Sequence, residues 1–231
     1  EYIFEEFKRF LIKNNLINEN WNGLNILVQN ASTVGLLDLK ILQDKKEKSS
    51  SFFDDLKNRK FKLLYLLGSD NLEFQKNDEF IVYQGSHGDR GAEIADLILP
   101  SATYTEQNGL YENLEGRIQE CKKASYPIGE ALEDWKIFNQ IIKKLGSKDY
   151  KVNFDELRKE VLETAPNFSG INELPKKSVI KTDNIETSFF SEKIFVRELD
   201  YYYTNSISRS SKTMSECRQI RQKIKKDGTN N

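Results

Sequence analysis

A glycine-rich turn is the segment of this sequence best suited to chemistry. It follows the apolar run 80–83 and contains Gly85, Gly88, Asp89 and Gly91. Backbone N–H groups in such a turn after a buried strand can converge on a phosphate. The turn lacks both the G-x-G-x-x-G pattern and the Lys-Ser/Thr of a P-loop. The favoured interpretation is therefore structural: the glycines adopt positive φ in a tight connection, and Asp89 and the arginine after it make local polar contacts.

His87 lies in the same turn and has the chemistry of a general base near neutral pH. No nucleophile with an orienting carboxylate lies near it in the sequence, which favours a structural or surface role. The only cysteines are Cys121 and Cys217, and two separate reduced thiols are favoured over a disulfide. These three side chains cannot complete a structural zinc site or a four-cysteine iron–sulfur site. We predict that the chain itself binds no cluster, pterin or metal.

The densest polar cluster beside aromatic residues contains Glu106, Asn113, Glu115 and Arg117, and the last two flank Gly116. A Glu–Arg pair with an asparagine can hold a loop or bind the polar edge of a cofactor. The residue types alone leave both roles open. We predict the simpler arrangement, in which Glu115 and Arg117 form a structural ion pair that fixes the loop.

Apolar runs indicate the elements that position these residues. Short runs predict buried strands at 24–28, 61–67, 80–83 and 97–99. Pro100 ends the last run, because proline cannot donate to a strand ladder. Helical spacing predicts helices at 3–11, 130–145 and 155–164, with a shorter helix near 52–56 and an exposed loop at 45–51. Strands separated by connections of crossover length predict an α/β fold, a three-layer sandwich with a mostly parallel sheet.

The carboxy-terminal third has a different character. We predict an α/β domain over 1–166, a polar linker or arm over 167–194 and an extended docking tail over 195–231. Three successive tyrosines at 201–203 form a strand-like cluster in the tail, and residues 208–226 carry seven basic side chains against one acidic. The tail is expected to dock on an acidic neighbour. The alternative is a solvated basic helix.

The charge balance excludes several classes of function. The 231 residues contain 35 Lys and Arg against 36 Asp and Glu, a net charge of −1. Such a chain has no overall field that would draw it to nucleic acid or an anionic membrane. No stretch approaches the roughly 18 consecutive apolar residues of a membrane-spanning helix. We therefore expect no nucleic-acid partner and no direct membrane insertion.

Several motifs together resemble a known family. They are VYQGSHGDRGA at 82–92, IADLILP at 94–100, YENLEGR at 111–117, EDWKI at 133–137 and YTNSISRSSKTM at 203–214. This combination resembles the carboxy-terminal part of the large iron–sulfur subunit of respiratory complex I, NADH:ubiquinone oxidoreductase. The Ala-Asp-x-x-Leu-Pro pattern that includes Asp96 is shared with molybdopterin oxidoreductases in general.

The resemblance implies a molybdopterin-oxidoreductase-like α/β domain that no longer carries the pterin. It implies no cofactor in this chain, with iron–sulfur clusters and FMN in partner subunits. The expected partners are other peripheral-arm subunits, especially a chain or further segment that carries the cluster-binding amino-terminal region. The expected location is the matrix side of the mitochondrial inner membrane.

Three hypotheses about function follow. The first is a non-catalytic structural subunit of the peripheral arm of mitochondrial complex I, and the ending near 203–214 favours it. The second is a fragment of an active molybdopterin-dependent oxidoreductase. The third, a free nucleotide-binding domain, is disfavoured because the dinucleotide and P-loop fingerprints are missing.

Overall fold

The computed structural model describes residues 2–28, 30–41, 52–69, 74–164, 170–173 and 200–226. In chain order the elements are α1 (Tyr2–Lys13), α2 (Thr33–Asp38), α3 (Phe52–Lys57), β1 (Leu63–Leu67), β2 (Phe80–Gly85), α4 (Arg90–Glu93), β3 (Leu97–Pro100), β4 (Gly109–Glu112), β5 (Ile118–Cys121), α5 (Asp134–Lys144), α6 (Phe154–Thr164), α7 (Ser206–Ser210) and α8 (Lys212–Lys226). None of the described helices is long and apolar enough to cross a membrane.

The described residues belong to two compact units. The first comprises Glu1–Asp44, Leu110–Cys121 and Asn153–Val196, and the second comprises Lys45–Gly109, Lys122–Val152 and Arg197–Asn231. The predicted boundaries at 166 and 194 lie among residues outside the described ranges and stay a prediction. The predicted loop at 45–51 also lies outside them, as does the linker apart from residues 170–173.

The second unit is built on a three-stranded parallel sheet in the order β1-β2-β3. Leu63 pairs with Phe80 and Val82 pairs with Leu97, which places β2 in the centre. Strands buried on both faces favour continuous apolar sequence rather than alternation, and the run at 80–83 has that character. The predicted strands at 61–67, 80–83 and 97–99 are therefore confirmed, and β3 ends at Pro100 as expected.

Helices cover both faces of this sheet. On one face Leu64, Leu66, Ile81 and Tyr83 form the core with Leu56 of α3, and Ala92 of α4 packs against them. On the other face α5 packs through the ring of Phe138 against the ring of Tyr65, with 5.6 Å between the ring centroids. Helix, sheet and helix make the three layers of the predicted α/β sandwich.

The first unit contains a two-stranded sheet of β4 and β5 with α1, α2 and α6. Arg158 of α6 donates to Glu120 of β5 over 3.1 Å. The predicted helix at 3–11 is confirmed, but Phe4, Phe7 and Phe10 of its apolar stripe are exposed. Leu11 is buried, so among the described residues only part of the stripe is covered.

The strand predicted at 24–28 is wrong. The segment is irregular, and Leu27 is 83% exposed. An asparagine side chain takes a backbone hydrogen bond that a strand partner would otherwise make: Asn22 Oδ1 accepts from the N–H of Leu24 over 3.0 Å. Gly23 donates back to the carbonyl oxygen of Leu16 over 2.9 Å. An apolar run becomes a strand only where a neighbouring strand satisfies its backbone, and no described segment pairs with this one.

Two other expectations need correction. The tyrosines at 201–203 form a turn, not a strand, and two basic helices, α7 and α8, follow them. The helix predicted at 130–145 begins at Asp134, because residues 131–132 instead pair beside the end of β3 through the Ser101–Leu132 bridge.

Candidate functional site at the carboxyl edge of the sheet

The glycine-rich turn leaves the carboxyl end of β2, the edge where open α/β sheets usually bind ligands. None of the three glycines in the turn adopts a positive φ. Two of them, Gly85 and Gly91, are instead required because neighbouring atoms leave no space for a side chain. A β-carbon at Gly85 would overlap the Tyr83 hydroxyl, and one at Gly91 would lie 2.7 Å from the Ser69 carbonyl oxygen. Nothing lies close to Gly88, and the structure gives no reason for glycine there. The predicted positive φ is therefore wrong.

Tyr83 crosses the inside of the turn and holds it closed. Its hydroxyl donates to the carbonyl oxygen of His87 over 2.8 Å, and the residue is 2% exposed. The His87 imidazole points elsewhere, with Nδ1 3.0 Å from the Ser86 hydroxyl oxygen. Two adjacent residues without a carboxylate among the described contacts do not make a catalytic pair. The geometry supports the predicted structural role of His87.

Asp89 caps the short helix α4 and carries the strongest charged contact of the turn. Its Oδ1 accepts from the N–H of Arg90 over 2.9 Å, which is the local contact that the sequence suggested. Its Oδ2 also accepts from Nε of Arg209 over 2.6 Å. The hydrogen bond from Arg209 holds the pKa of Asp89 below its ordinary value, against the opposing effect of burial.

A buried polar chain, which sequence reasoning missed, lies beside the turn. The Tyr65 hydroxyl donates to Gln84, whose Nε2 donates to Oδ1 of Asp134 over 2.6 Å. Gln107 completes the chain, because its Nε2 donates to Oδ2 of Asp134 over 2.9 Å and its Oε1 accepts from the Asp134 N–H over 3.0 Å. The sequence signal that could have revealed this chain is Gln84, a glutamine within an apolar run. The structure shows Gln84 to be 0% exposed, and a buried amide needs hydrogen-bond partners.

Two groups in or next to this polar chain have shifted pKa values. Burial, and then the charge of Asp134, raise the pKa of Tyr65. The neighbouring Glu133 is buried, which alone would raise its pKa, but hydrogen bonds from Lys136, Trp135 and Lys123 bring that pKa below its ordinary value. Lys136 Nζ lies 2.9 Å from Glu133 Oε1. Glu133 therefore stays ionised at the start of α5, where the helix dipole also favours negative charge.

Asp96 and Glu106, two more predicted site residues, hold the backbone. Asp96 Oδ2 accepts from the N–H of Ile81 over 2.8 Å, and hydrogen bonds from Lys76 and then from Ile81 lower the Asp96 pKa. Glu106 Oε2 accepts from the N–H of Thr103 over 3.2 Å. Neither carboxylate reaches the glycine-rich turn through a described contact. Their arrangement is that of strand and loop anchors.

The loop between β4 and β5 belongs to the first unit, and its contacts differ from the prediction. Asn113 Oδ1 accepts from the N–H groups of Glu115 and Arg117 over 3.0 and 2.9 Å, and Gly116 takes a φ of +80°. Arg117 Nη1 donates to the carbonyl oxygen of Asn172 over 3.0 Å. No ion pair joins Glu115 to Arg117 within the described residues. The asparagine fixes this loop, because its short side chain reaches two backbone donors.

The sequence analysis also missed a pair of neighbouring carboxyl groups in the first unit. Glu112 of β4 lies beside Asp38 of α2, and one of its two carboxyl oxygens, Oε2, is buried and has no hydrogen-bond partner among the described residues. Burial, and then the hydrogen bond with Asp38 and its charge, raise the pKa of Glu112 to about 7. Only the tertiary structure brings the two carboxyl groups together.

The described residues hold no cluster of three or more His, Cys, Asp or Glu side chains that could bind a metal ion. Within the described residues neither Cys121 nor Cys217 forms a disulfide. That the chain binds no cluster, pterin or metal stays a prediction.

A parallel sheet covered by helices on both faces, with a glycine-rich turn at its carboxyl edge, defines an open α/β domain. The chain belongs to the molybdopterin oxidoreductase family, whose model matches residues 1–144. A second family model matches residues 165–217 and describes the C-terminal region of the G subunit of NADH-ubiquinone oxidoreductase.

Relatives support the same assignment. The chain is 39% identical over 87% of its length to the NADH-ubiquinone oxidoreductase 75 kDa subunit of Reclinomonas americana. It is 38% identical over 94% to the G subunit of NADH-quinone oxidoreductase from Rickettsia bellii, and 36% identical over 93% to the mitochondrial 78 kDa subunit of Neurospora crassa. It spans 29% to 30% of the length of these relatives. The predicted resemblance to the large subunit of NADH:ubiquinone oxidoreductase is confirmed.

The described residues at the carboxyl edge do not fit the phosphate-bearing pterin that the family name implies. An anion at the turn would meet the carboxylate of Asp89, which already caps α4. With only four residues, α4 offers little dipole to offset that repulsion. Gln84 and Asp134 are already committed to one another. The edge is therefore organised around internal contacts.

Proposed function

We propose that this chain is a non-catalytic structural subunit of the peripheral, matrix-side arm of mitochondrial complex I. It supports electron transfer from NADH to ubiquinone without carrying the electrons itself. The observation that carries the proposal is the order of the two family matches. A molybdopterin oxidoreductase region at 1–144 is followed at 165–217 by the C-terminal region of an NADH-ubiquinone oxidoreductase subunit.

The contacts at the carboxyl edge support a structural role. Each polar side chain that the sequence offered for chemistry in the turn makes a local or structural contact, as Asp89 and His87 do. In the partly buried chain from Tyr65 to Gln107, each side chain hydrogen-bonds to a neighbour in the chain, and Gln107 also donates to the Ala102 carbonyl oxygen. Such saturated networks rigidify a core, whereas a reactive site needs groups available to substrate.

The proposal extends to cofactors, partners and location. We propose that the chain holds no cofactor and that iron–sulfur clusters and FMN lie in partner subunits. The main partner is the region that carries the cluster ligands, on a separate chain or another segment. The names of the Neurospora crassa and Candida albicans relatives include the word mitochondrial, which supports a mitochondrial location. Within the mitochondrion we propose the matrix side of the inner membrane.

Native gel electrophoresis tests the assembly. Mitochondria from the source organism are solubilised in mild detergent, and the band that stains for NADH dehydrogenase activity is analysed by mass spectrometry. We expect peptides of this chain in that band, together with the cluster-bearing partner. Absence of the chain from an active, fully assembled band would overturn the proposal.

Metal analysis separates the proposal from the alternative, a fragment of an active molybdopterin-dependent oxidoreductase. Iron and molybdenum are measured on the purified full chain, with the intact complex as a positive control for iron. We expect neither metal in stoichiometric amount in the chain. Stoichiometric molybdenum would favour the alternative.

A further inference from the structure

We propose that α7 is a latch that closes the carboxyl edge of the sheet in place of a ligand. The latch is the ion pair between Arg209 of α7 and Asp89 of the glycine-rich turn. It explains why a ligand-type edge is organised around internal contacts. The inference does not depend on which complex the chain joins.

The ion pair has the geometry of a strong contact. Arg209 Nε lies 2.6 Å from Asp89 Oδ2, and the two side chains are 14% and 32% exposed. Charge-assisted hydrogen bonds of this length are about twice as strong as neutral ones. Asp89 is itself held in place by the N–H of Arg90. The carboxylate therefore meets the guanidinium from a fixed position, so forming the pair requires little further ordering of the turn.

The helix that carries Arg209 is also held in place by hydrogen bonds of its own. Asn205 Oδ1 accepts from the N–H of Ser208 over 2.9 Å, and the Ser208 hydroxyl oxygen accepts from the N–H of Asn205 over 3.1 Å. This reciprocal capping box fixes the start of α7. Arg209 follows directly after the capping box, so the box fixes the position of its backbone independently of the contact with Asp89.

A second set of contacts holds the rest of the tail together. Arg218 Nε of α8 lies 2.5 Å from Asp200 Oδ2, and its guanidinium lies over the Tyr203 ring at 4.5 Å. Arg221 lies over the Tyr201 ring at 5.8 Å. These contacts tie α8 to the turn before α7. The tail therefore has an internal structure that can present Arg209 as part of a unit.

The two residues of this ion pair lie in the regions that two different family models match. Asp89 lies within the molybdopterin oxidoreductase match at 1–144, and Arg209 lies within the second match at 165–217. The contact thus joins a turn of the sheet domain to a segment that the second model describes. We infer that holding this turn closed is one task of the carboxy-terminal segment.

Hydrogen exchange on the full-length chain, followed by mass spectrometry, tests the latch. In Arg209→Gln, amides of the turn at 85–91 and of α7 should both exchange about tenfold faster, as loss of a charge-assisted hydrogen bond implies. Lys212→Gln is the matched control: it removes the same charge nearby, from a side chain that is 92% exposed. The control should exchange as the wild type does.

A variant that keeps the cap guards against simple misfolding. Asp89→Asn retains a side-chain oxygen that can accept from the N–H of Arg90, but it loses the charge that binds Arg209. Amides at 85–91 should then exchange faster, as in Arg209→Gln, while β1 and β2 keep their protection. Wild-type exchange at 85–91 in Arg209→Gln or in Asp89→Asn would overturn the latch.

Discussion

Replacing Glu112 with glutamine should stabilise the protein at alkaline pH and leave its stability unchanged at acidic pH. In the folded state, burial and the neighbouring Asp38 raise the pKa of Glu112 from 4.5 to about 7. The unfolded chain therefore releases this proton at lower pH than the folded chain does. As pH rises from 4.5 to about 7, the free energy of unfolding should fall, and above that range the loss should be complete.

The size of the effect follows from the proton affinity and the solvent. Each tenfold change in proton affinity is worth about 1.4 kcal/mol, and partial exposure of the pair screens part of it. We expect Glu112→Gln to gain about 1–2 kcal/mol above pH 7, since a neutral amide avoids the charge repulsion with Asp38. Below the ordinary carboxyl pKa of 4.5, both proteins should be equally stable.

Urea unfolding across this pH range, followed by circular dichroism, measures the difference. Glu115→Gln is the matched control, because it changes an exposed carboxylate on the loop that follows β4. The control should show no such pH-dependent gain. An equal gain for Glu112→Gln at every pH, or a gain that grows as pH falls, would refute the raised pKa of Glu112.

Four further substitutions, the last of them a control, test the structural role of the site residues by urea unfolding. Asp134→Ala removes the acceptor of the fully buried Gln84 and should cost about 3 kcal/mol, and a cost near zero would contradict the polar chain. Arg117→Ala loses a bond to a backbone carbonyl, not a buried ion pair, so about 1 kcal/mol is expected; a loss above about 3 kcal/mol would point to an ion pair instead. Gly91→Ala should cost about 1–3 kcal/mol through its close approach to the backbone, whereas Gly88→Ala, with nothing nearby, should be near neutral; equal costs would contradict the packing argument.

Much of the sheet could be predicted from the sequence because its signals are local. The run at 80–83 is apolar without alternation, as a strand buried on both faces requires, and Pro100 marks the end of β3. Helix α5 combines an apolar stripe with Asp134 near its start and lysines in its last turn. The motifs at 82–92, 94–100 and 111–117 together indicated the family.

Local signals failed where the outcome depends on a partner. The run at 24–28 has the composition of a strand, but no described strand pairs with it. The glycines of the turn suggested positive φ, yet Gly85 and Gly91 are needed because Tyr83 and a neighbouring backbone pass close by. A glycine in the sequence does not reveal which of these two needs it meets.

The sequence by itself determined the α/β class, the order of the central elements and the family. Only the tertiary structure decided what the polar residues do: Arg209 binds Asp89, Asp134 binds Gln84, and Glu112 meets Asp38. The physical reason is the distance along the chain over which each effect acts. Periodicity and chain breakers act over a few residues, whereas an ion pair or a shared proton depends on atoms brought within about 3 Å by elements far apart in the chain.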